Sequence, residues 1–416
     1  MENIIDDLNY RGLIEQYSDE AKIRELLSSP QTIYCGFDPS ASSMHLGNFV
    51  MISLLMRFQR AGHRIIAVVG GATGMIGDPS GKSKERNLQT EDVLKANTES
   101  IRKQLVRFLD LSDPKKGIIV NNYDWLGQMK TLDFLRDYGK FFPINYMLNK
   151  EIVSSRLEAG ISFTEFSYQI LQSIDFHHLH HAYKCNIQIG GNDQWGNLTS
   201  GLELIRKLDG DGEAVGVLTA HLITRADGKK FGKSEDGALF LDPKLTSPYK
   251  LYQYFINTTD EDAVKYLKVF TFLTHAEIEA VAKDHFASPG ARIAQKKLAY
   301  EVTKEIHGKD GAEEALRMSE VLFSGEVKTL KEDEILELLG SLKKNIGGDK
   351  LIEDLLIELG AASSKREART FITGNSITVN GDKVTDLAKV ITKADALFGK
   401  YVILRRGKKN YYLAEF

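Results

Sequence analysis

The chain has 416 residues, of which 42% are hydrophobic, with a net charge of −3 and two cysteines, Cys35 and Cys185. This length predicts two or three domains, and the composition is typical of a globular protein. The near-neutral charge excludes binding of polyanions by bulk charge, and two cysteines exclude a disulfide framework. Because the acidic start does not resemble a signal peptide and no apolar run approaches ~20 residues, we expect a cytoplasmic protein without membrane segments.

Strands and helices alternate along the first half of the sequence. The pattern predicts strands at 31–38, 63–69, 117–122, 187–191 and 215–219, and helices at 48–61, 95–109 and 162–177. A strand, a helix and a second strand within about forty residues form a βαβ unit, which predicts an α/β fold with a parallel sheet. From 247 to 322 only helical windows occur, and the polar segment 326–350 is predicted to be a linker.

A glycine-rich stretch, VVGGATGMIGDPSGKS at 68–83, follows the second predicted strand. Its end resembles a phosphate-binding P-loop, but such a loop needs glycine where this chain has Ile76. A dinucleotide fingerprint fails too, because the glycines recur at every third residue. We interpret the stretch as a tight turn at a strand end, an interpretation that leaves Asp78 and Lys82 unexplained.

Two other segments indicate nucleotide chemistry. His45, Gly47 and Asn48 lie at the start of a predicted helix, where free N–H groups and the helix dipole favour an anion. Far along the chain, KKFGKS at 229–234 places Lys230 and Lys233 around a glycine. Lysines on such a loop can stabilise charge that develops on a pyrophosphate.

Together these motifs resemble the two signatures of class I aminoacyl-tRNA synthetases. The whole chain is similar to the bacterial tyrosyl-tRNA synthetase family through YCGFDPSASSMHLGN, GDPSGKSKER, NNYDW, YQILQSIDF, QIGGNDQWGN and KKFGKS. The second histidine of the general class signature is Asn48 here, and the second signature lacks its methionine and first serine. The resemblance implies activation of tyrosine with ATP and Mg²⁺, transfer of the tyrosyl group to tRNA(Tyr), and a homodimer.

The resemblance also implies a tyrosine pocket. Tyr168, Gln172 and Asp175 are spaced to share one face of a largely buried helix. The family pattern would place Asp175 and Tyr34 at the substrate phenol. It would place Tyr168, Gln172 and Asp78 at the substrate ammonium, with Gln194 also near the tyrosine.

For ATP, the family pattern implies contacts from Gly36, Asp38, Ser40, His45, Gly47, Asn48, Gly191, Asp193 and Lys233. The residues that it implies for catalysis are His45, Lys82, Arg86, Lys230 and Lys233. Mg²⁺ would be held by phosphate oxygens more than by protein ligands.

The implied domains are a Rossmann-like catalytic domain at 1–225, with a dimer-forming insertion at about 115–185, the KFGKS loop at 226–246, an α-helical anticodon-arm domain at 247–325, the linker at 326–350 and an α+β S4-like RNA-binding domain at 351–416.

The last segment carries a local positive charge. Between 361 and 416 there are eleven lysines and arginines and five acids. Ser364 and Glu367 form a predicted capping box, Gly374 ends that helix, and Asn380-Gly381 predicts a hairpin turn. The predicted RNA contacts are Lys365, Arg366, Arg369, Arg405, Arg406, Lys408 and Lys409.

Four histidines, at 177, 178, 180 and 181, lie close in sequence to Cys185, and this grouping resembles a set of metal ligands. His177 and His181 have a helical spacing that zinc can use, but no carboxylate lies between them and no CxxC accompanies them. We therefore predict no metal site and interpret this segment as a helix end near the subunit contact.

Three other functions compete with a tyrosine enzyme. A tryptophanyl-tRNA synthetase would share the fold and both signatures but would not need Tyr34 and Asp175 for a hydroxyl. A small-molecule nucleotidyltransferase would leave the basic end unexplained. A non-catalytic S4-type RNA-binding protein would not need Asp78, Gln172 and the two signature lysines.

Overall fold

The structure is a computed structural model that describes residues 4–81, 89–154, 156–157, 160–224, 226, 231–234, 237–407 and 410–416, without the side chains of 151, 152, 233 and 234. It divides into two compact units, Met1–His307 and Gly308–Phe416. Within the described ranges, every helix is too short or too polar to cross a lipid bilayer.

The first unit is built from short strands and longer helices. Its strands are β1 (Ile14–Tyr17), β2 (Thr32–Phe37), β3 (Arg64–Val69), β4 (Gly117–Asn121), β5 (Cys185–Gly191), β6 (Gly216–Ala220), β7 (Lys233–Ser234) and β8 (Gly237–Ala238). Its helices are α1 (Ile4–Tyr10), α2 (Glu20–Leu26), α3 (Leu46–Arg60), α4 (Thr73–Ile76), α5 (Glu91–Phe108), α6 (Tyr123–Leu126), α7 (Thr131–Asp133), α8 (Ile144–Leu148), α9 (Glu151–Ser154), α10 (Phe163–Tyr183), α11 (Trp195–Asp209), α12 (Pro248–Ile256), α13 (Asp260–Phe270) and α14 (His275–Ala287). Helix α15 (Ile293–Ser324) follows and has a non-helical backbone at Gly308, where the second unit begins.

Six strands form one sheet in the order β1-β6-β5-β2-β3-β4. Strands β2 to β6 run parallel to one another, and β1 pairs antiparallel with β6 at the edge. On one face, Tyr34, Ile66 and Val217 pack in a buried cluster with side chains of α10 and α11. Because side chains alternate along a strand, Ile33 and Ile65 point to the other face, which α3 covers. The predicted α/β parallel sheet is confirmed.

The five predicted strands of this sheet lie within two residues of the observed ones. The edge strand β1 is absent from the prediction, because only Ile14 of its four residues is buried. The helical region after 247 is confirmed as α12, α13, α14 and α15. The first three of these helices begin at the hydroxyl caps Ser247, Thr259 and Thr274, each of which accepts a backbone N–H three residues later.

The glycine-rich stretch is a turn at a strand end, as predicted. Strand β3 ends at Val69, and the short helix α4 follows. Gly77 ends α4 with a φ of 88°, a left-handed conformation that side chains disfavour. Asp78 comes directly after this turn and lines the cavity described below. Lys82 and Arg86 lie outside the described residues.

The second unit contains α16 (Glu332–Leu339), α17 (Ile352–Glu358), α18 (Lys365–Thr373), β9 (Lys343–Asn345), β10 (Lys350–Leu351), β11 (Ile377–Val379), β12 (Asp382–Lys383), β13 (Val390–Ile391), β14 (Tyr401–Arg406) and β15 (Asn410–Glu415). Five of these strands form a sheet in the order β12-β11-β14-β15-β9.

The linker predicted at 326–350 is wrong. This segment contains α16 and β9, and β9 pairs with β15. Ile335 and Leu339 of α16 are buried against Tyr401, Ile403 and Leu413. The error arose because a helix that buries one narrow stripe is mostly polar in sequence. The other predicted domain boundaries stay predictions.

The predicted helix and hairpin of the basic segment are both present. Ser364 accepts the backbone N–H of Glu367, but the carboxylate of Glu367 accepts from Ser363 rather than from Ser364. Only half of the predicted capping box is therefore formed. Asn380 and Gly381, with φ of 47° and 88°, join β11 to β12, as a type I′ turn requires.

Candidate active site at the switch point of the sheet

A cavity of about 530 Å³ opens at the carboxyl ends of the parallel strands. Its walls include the ends of β2, β3, β5 and β6, the start of α3 and the inner face of α10. The chain order of the sheet reverses between β2 and β5, because β3 and β4 lie on one side and β6 on the other. Open parallel sheets bind ligands at such a switch point.

The structure brings most of the predicted ligand-binding residues into this one cavity. Those that line it are Tyr34, Gly36, Asp38, Ser40, His45, Gly47, Asn48, Asp78, Tyr168, Gln172, Asp175, Gly191, Asp193 and Gln194. Lys230 lies outside the described residues, and only the backbone of Lys233 is described, in β7.

One end of the cavity holds a buried carboxylate, Asp175. Its two oxygens accept hydrogen bonds from Trp125 Nε1 at 2.8 Å and from Asn122 Nδ2 at 3.0 Å. Burial raises the pKa of Asp175 to about 7, although these two hydrogen bonds lower it. The carboxylate is thus held in a fixed orientation by two donors.

Tyr34 lies at the same end and is 2% exposed. Its hydroxyl has no hydrogen-bond partner among the described residues. Burial, and next the charge of Asp175, raise the pKa of Tyr34 well above its usual value, so its hydroxyl stays protonated. A buried hydroxyl without a partner is uncommon and marks a position where a ligand atom would be satisfied.

The middle of the cavity carries a polar network around Asp78. Its carboxylate accepts from Gln194 Nε2 at 2.7 Å and from the backbone N–H of Ser80 at 3.0 Å. The side-chain amide of Asn197 joins Gln194 to Asp78, because it donates to Gln194 Oε1 at 3.0 Å and to Asp78 Oδ1 at 3.5 Å. Nearby on α10, the side-chain oxygen of Gln172 is buried without a partner among the described residues.

Asp38, directly after β2, faces this network. It accepts from the hydroxyl of Tyr168 at 2.8 Å and from that of Thr73 at 2.7 Å. Four carboxylates, those of Asp38, Asp78, Asp175 and Asp193, therefore line one cavity. This concentration of negative charge favours a cationic group.

The start of α3 forms the opposite end. His45 caps the helix, because its Nδ1 accepts the backbone N–H of Asn48 at 3.3 Å while the side chain of Asn48 accepts the N–H of His45 at 3.0 Å. A Cβ on Gly47 would lie 2.9 Å from the His45 ring, so only glycine permits this ring position. Asn48, which replaces the second histidine of the general class signature, therefore supplies one of the two hydrogen bonds of this cap.

The two class signatures meet in the structure. The backbone of Met44 and Leu46 is bonded to that of Leu241 and Leu239, respectively, by hydrogen bonds of 2.8 Å each. Gly232 of the second signature has a φ of 73°, and a Cβ there would lie 3.6 Å from the Gly47 nitrogen. Segments separated by about 185 residues in the chain thus form one wall.

Aromatic side chains anchor the second signature. The ring of Phe231 stacks on that of Phe270 with centroids 4.8 Å apart and meets that of Tyr266 at 5.0 Å. The N–H of Gly232 donates to the hydroxyl of Tyr254 at 3.0 Å. Tyr254 therefore fixes the backbone next to the predicted catalytic lysine positions.

Sequence reasoning assigned no role to several of these groups. They are Thr73, Ser80, Asn122, Trp125, Asn197 and Tyr254. Four of them stand in the motifs quoted for the family, Ser80 in GDPSGKSKER, Asn122 and Trp125 in NNYDW, and Asn197 in QIGGNDQWGN. The motifs were therefore the available signal, but only the fold shows which side chain each of these residues contacts.

The predicted RNA-binding residues of the second unit differ in their contacts. Lys365 and Arg369 form ion pairs with Glu353, and Arg406 donates to the carbonyl oxygen of Ala361. The guanidinium of Arg405 donates to the hydroxyl of Tyr411 at 3.4 Å.

Arg366 is exposed, and its guanidinium forms no hydrogen bond or ion pair within the described part of the chain. Lys408 and Lys409 lie outside the described residues.

Comparison with known proteins agrees with this geometry. Residues 27–324 match the family model of tRNA synthetases class I (W and Y), and residues 341–414 match that of the tyrosine–tRNA ligase SYY-like C-terminal domain. Tyrosine–tRNA ligase 1 of Bacillus licheniformis is 51% identical over 99% of both chains, and tyrosine–tRNA ligase of Listeria monocytogenes is 50% identical over 100% of both chains.

Among solved structures, a C-terminally truncated mitochondrial tyrosyl-tRNA synthetase of Aspergillus nidulans matches with a TM-score of 0.70 and 30% identity, over 78% of this chain and 95% of that one. A tryptophanyl-tRNA synthetase of Encephalitozoon cuniculi matches with a TM-score of 0.56 and 14% identity, over 74% of this chain and 87% of that one. The latter shows a shared fold alone. The full-length identities to tyrosine–tRNA ligases favour a tyrosine enzyme over a tryptophanyl-tRNA synthetase and over a non-catalytic RNA-binding protein. The chain belongs to the class I tyrosine–tRNA ligases.

Proposed function

We propose that the cavity binds tyrosine and ATP end to end, with the tyrosine phenol against Tyr34 and Asp175. The observation that carries this proposal is the hydroxyl of Tyr34, which has no partner in the described part of the chain and lies in the same cavity as the oriented carboxylate of Asp175. A substrate hydroxyl would donate to Asp175 and accept from Tyr34. Phenylalanine would leave both groups unsatisfied, which is how a hydrogen-bonding site rejects an analogue.

The substrate ammonium would lie among Asp78, Tyr168 and Gln172. Asp78 supplies negative charge, and the side-chain oxygen of Gln172, which no described residue contacts by a hydrogen bond, supplies an acceptor. Gln194 and Asn197 hold the carboxylate of Asp78 in place. The middle of the cavity therefore offers acceptors to a group that carries only donors.

ATP would occupy the space between the starts of α3 and α11, with its phosphates toward His45 and Gly47. The tyrosine carboxylate would then attack the α-phosphorus in line, and pyrophosphate would leave past the second signature. The chain positions the two substrates and stabilises developing charge, so no covalent enzyme intermediate is needed. Lys82, Arg86, Lys230 and Lys233 are proposed for the leaving pyrophosphate on their match to the family motifs alone.

Mg²⁺ enters this proposal as part of the MgATP substrate. Of the carboxylates in the cavity, Asp38 is bonded to two hydroxyls and Asp78 to an amide and a backbone N–H. Mg²⁺ keeps several waters and binds phosphate oxygens readily. The phosphates are accordingly proposed as its main ligands.

Amino-acid-dependent exchange of pyrophosphate into ATP tests the proposed function. We expect exchange with tyrosine and little exchange with phenylalanine or tryptophan. Exchange that depends on tryptophan would overturn the substrate assignment, and exchange without any amino acid would overturn the reaction.

Tyrosine binding is expected to weaken as the pH falls below about 7. The pKa of Asp175 is raised to about 7 by burial, so the free protein takes up a proton there as the pH falls. A carboxylate accepts a stronger hydrogen bond than a neutral carboxyl does, so bound tyrosine favours the ionised form and protonation opposes binding. The measurement is the Kd of tyrosine between pH 5.5 and 8.5. An Asp175→Asn variant should lose this dependence, and an unchanged slope in that variant would assign the titration to another group.

The second unit is proposed to bind tRNA(Tyr) through its basic residues. Arg366 is the strongest candidate among the described ones, because its charge is exposed and not paired with an acid there. Lys365 and Arg369 would have to exchange Glu353 for a phosphate.

Arg366→Ala is therefore expected to weaken tRNA binding severalfold and to reduce the salt slope of log K by about one charge. Arg369→Ala is the matched control on the same helix and should have a smaller effect. Filter binding across a salt series measures both, and equal losses in the two variants would contradict the assignment.

We also propose a homodimer that forms through the predicted insertion. Large apolar side chains between 123 and 163 are exposed, among them Leu132 at 76%, Ile144 at 60% and Phe163 at 69%. Such a concentration of exposed apolar surface is typical of an interface. The cytoplasmic location stays a prediction.

A further inference from the structure

The four histidines at the end of α10 contact different partners in the folded chain. His178 stacks on Trp125 with ring centroids 4.4 Å apart, and His180 contacts Glu213 and the carbonyl oxygen of Cys185. The other two, His177 and His181, both face Asp209 at the end of α11. The nearby thiol of Cys185 is buried and bonded to the carbonyl oxygen of Ile187.

The three groups converge on a small space. His177 Nε2 lies 3.3 Å from Asp209 Oδ2, and His181 Nε2 lies 3.0 Å from both carboxylate oxygens. One ligand atom from each of the three residues lies within 4.8 Å of the others. Ligands of a tetrahedral zinc at about 2.0–2.1 Å are separated by about 3.3–3.4 Å. The distance from His177 to Asp209 matches an edge of such a site, and the distance from His181 to Asp209 is about 0.3 Å shorter.

The surroundings leave this cluster accessible to an ion. The side chain of His181 is 56% exposed, whereas those of His177 and Asp209 are 18% and 17% exposed. Among the described residues, no lysine or arginine forms an ion pair with Asp209, and Arg206 instead pairs with Glu203 and Asp211. An ion could therefore enter from solvent and keep water as a fourth ligand.

We propose that His177, His181 and Asp209 form a binding site for a divalent transition-metal ion of the zinc class. Two imidazoles and one carboxylate suit zinc in both ligand type and number. The ion would cross-link the last turns of α10 and α11. Since α10 also carries Asp175 two residues before His177, the site would stabilise a wall of the substrate cavity without touching the reacting atoms.

The sequence prediction of no metal site did not consider Asp209, the third proposed ligand. Asp209 stands 28 residues after His181, and only the packing of α10 on α11 brings it to the histidines. The alternative is that both imidazoles donate to Asp209 and no ion binds. The two arrangements differ in their response to added zinc.

The test uses the full-length chain freed of metal with EDTA and titrated with ZnCl₂ alone. We expect one Zn²⁺ per chain by calorimetry and a rise in Tm, because an ion that binds the folded chain stabilises it. Asp209→Asn keeps the shape and a hydrogen-bond acceptor but should weaken zinc binding by about tenfold or more. His181→Gln, which replaces the most exposed of the three proposed ligands, should also weaken zinc binding by about tenfold or more.

Glu213→Gln is the matched control, because it removes a carboxylate that contacts His180 four residues from Asp209. Its zinc affinity should equal that of the parent chain. No saturable binding by the parent chain would overturn the proposal, as would equal binding by the parent chain and Asp209→Asn. A loss in Glu213→Gln as large as that in Asp209→Asn would also overturn the assigned ligand set.

Discussion

Replacing Asp175 with asparagine is expected to lower kcat/KM for tyrosine in the exchange reaction by about 10- to 100-fold. Trp125 and Asn122 both donate to this carboxylate, so an asparagine must turn its own NH₂ toward one of these donors or toward the substrate. Loss of a hydrogen bond to a buried charged group costs about 1.5–3 kcal/mol. The exchange rate measured against tyrosine concentration gives the loss directly.

Phenylalanine provides the internal comparison for this variant. It has no hydroxyl to lose, so its weak exchange should change little, and the preference for tyrosine should shrink by the same factor. Asp193→Asn, at the ATP end of the cavity, should instead change the KM for ATP and leave that preference intact. A variant at Asp175 that kept the full preference for tyrosine would contradict the proposed phenol site.

Removal of residues 308–416 is expected to spare tyrosine-dependent exchange and to lower tRNA charging by about 100-fold or more. The first unit is compact by itself and contains the whole substrate cavity. The basic residues of the second unit would be lost, and phosphate contacts supply much of the affinity for nucleic acid. Parallel assays of exchange and aminoacylation on the same preparation measure both outcomes.

A chain truncated after residue 351 is the informative control, because this truncation falls inside the second unit. It would leave β9 without β15 and would expose Ile335 and Leu339 of α16. This longer chain should therefore be less soluble than the one that ends at residue 307. Normal charging by the shorter chain would contradict the assignment of RNA binding to the second unit.

Sequence patterns were sufficient for the parallel sheet and for the edge of the sheet at which the cavity opens. Buried parallel strands are almost continuously apolar, and Gly36 and Gly191 mark the strand ends that line the cavity. The edge strand β1 and helix α16 were missed because each buries only a few side chains.

Contacts between distant segments could not be predicted from local patterns. Asn122 and Trp125 reach Asp175 across 53 and 50 residues of chain. The position of Asp209 beside His177 likewise depends on how α11 packs on α10. Such pairs are fixed by tertiary packing, which neither propensity nor periodicity encodes.

The buried hydroxyl of Tyr34 also affects the thermodynamics of the chain. Among the described residues this buried hydroxyl has no partner, so its hydrogen bond must come from a molecule in the cavity, and it stabilises the fold less than an apolar group of the same shape would. In the proposed complex, the tyrosine phenol is that partner, and tyrosine is expected to increase the resistance of the chain to unfolding. Selectivity for the substrate and stability of the ligand-free chain are thus opposed at this one oxygen atom.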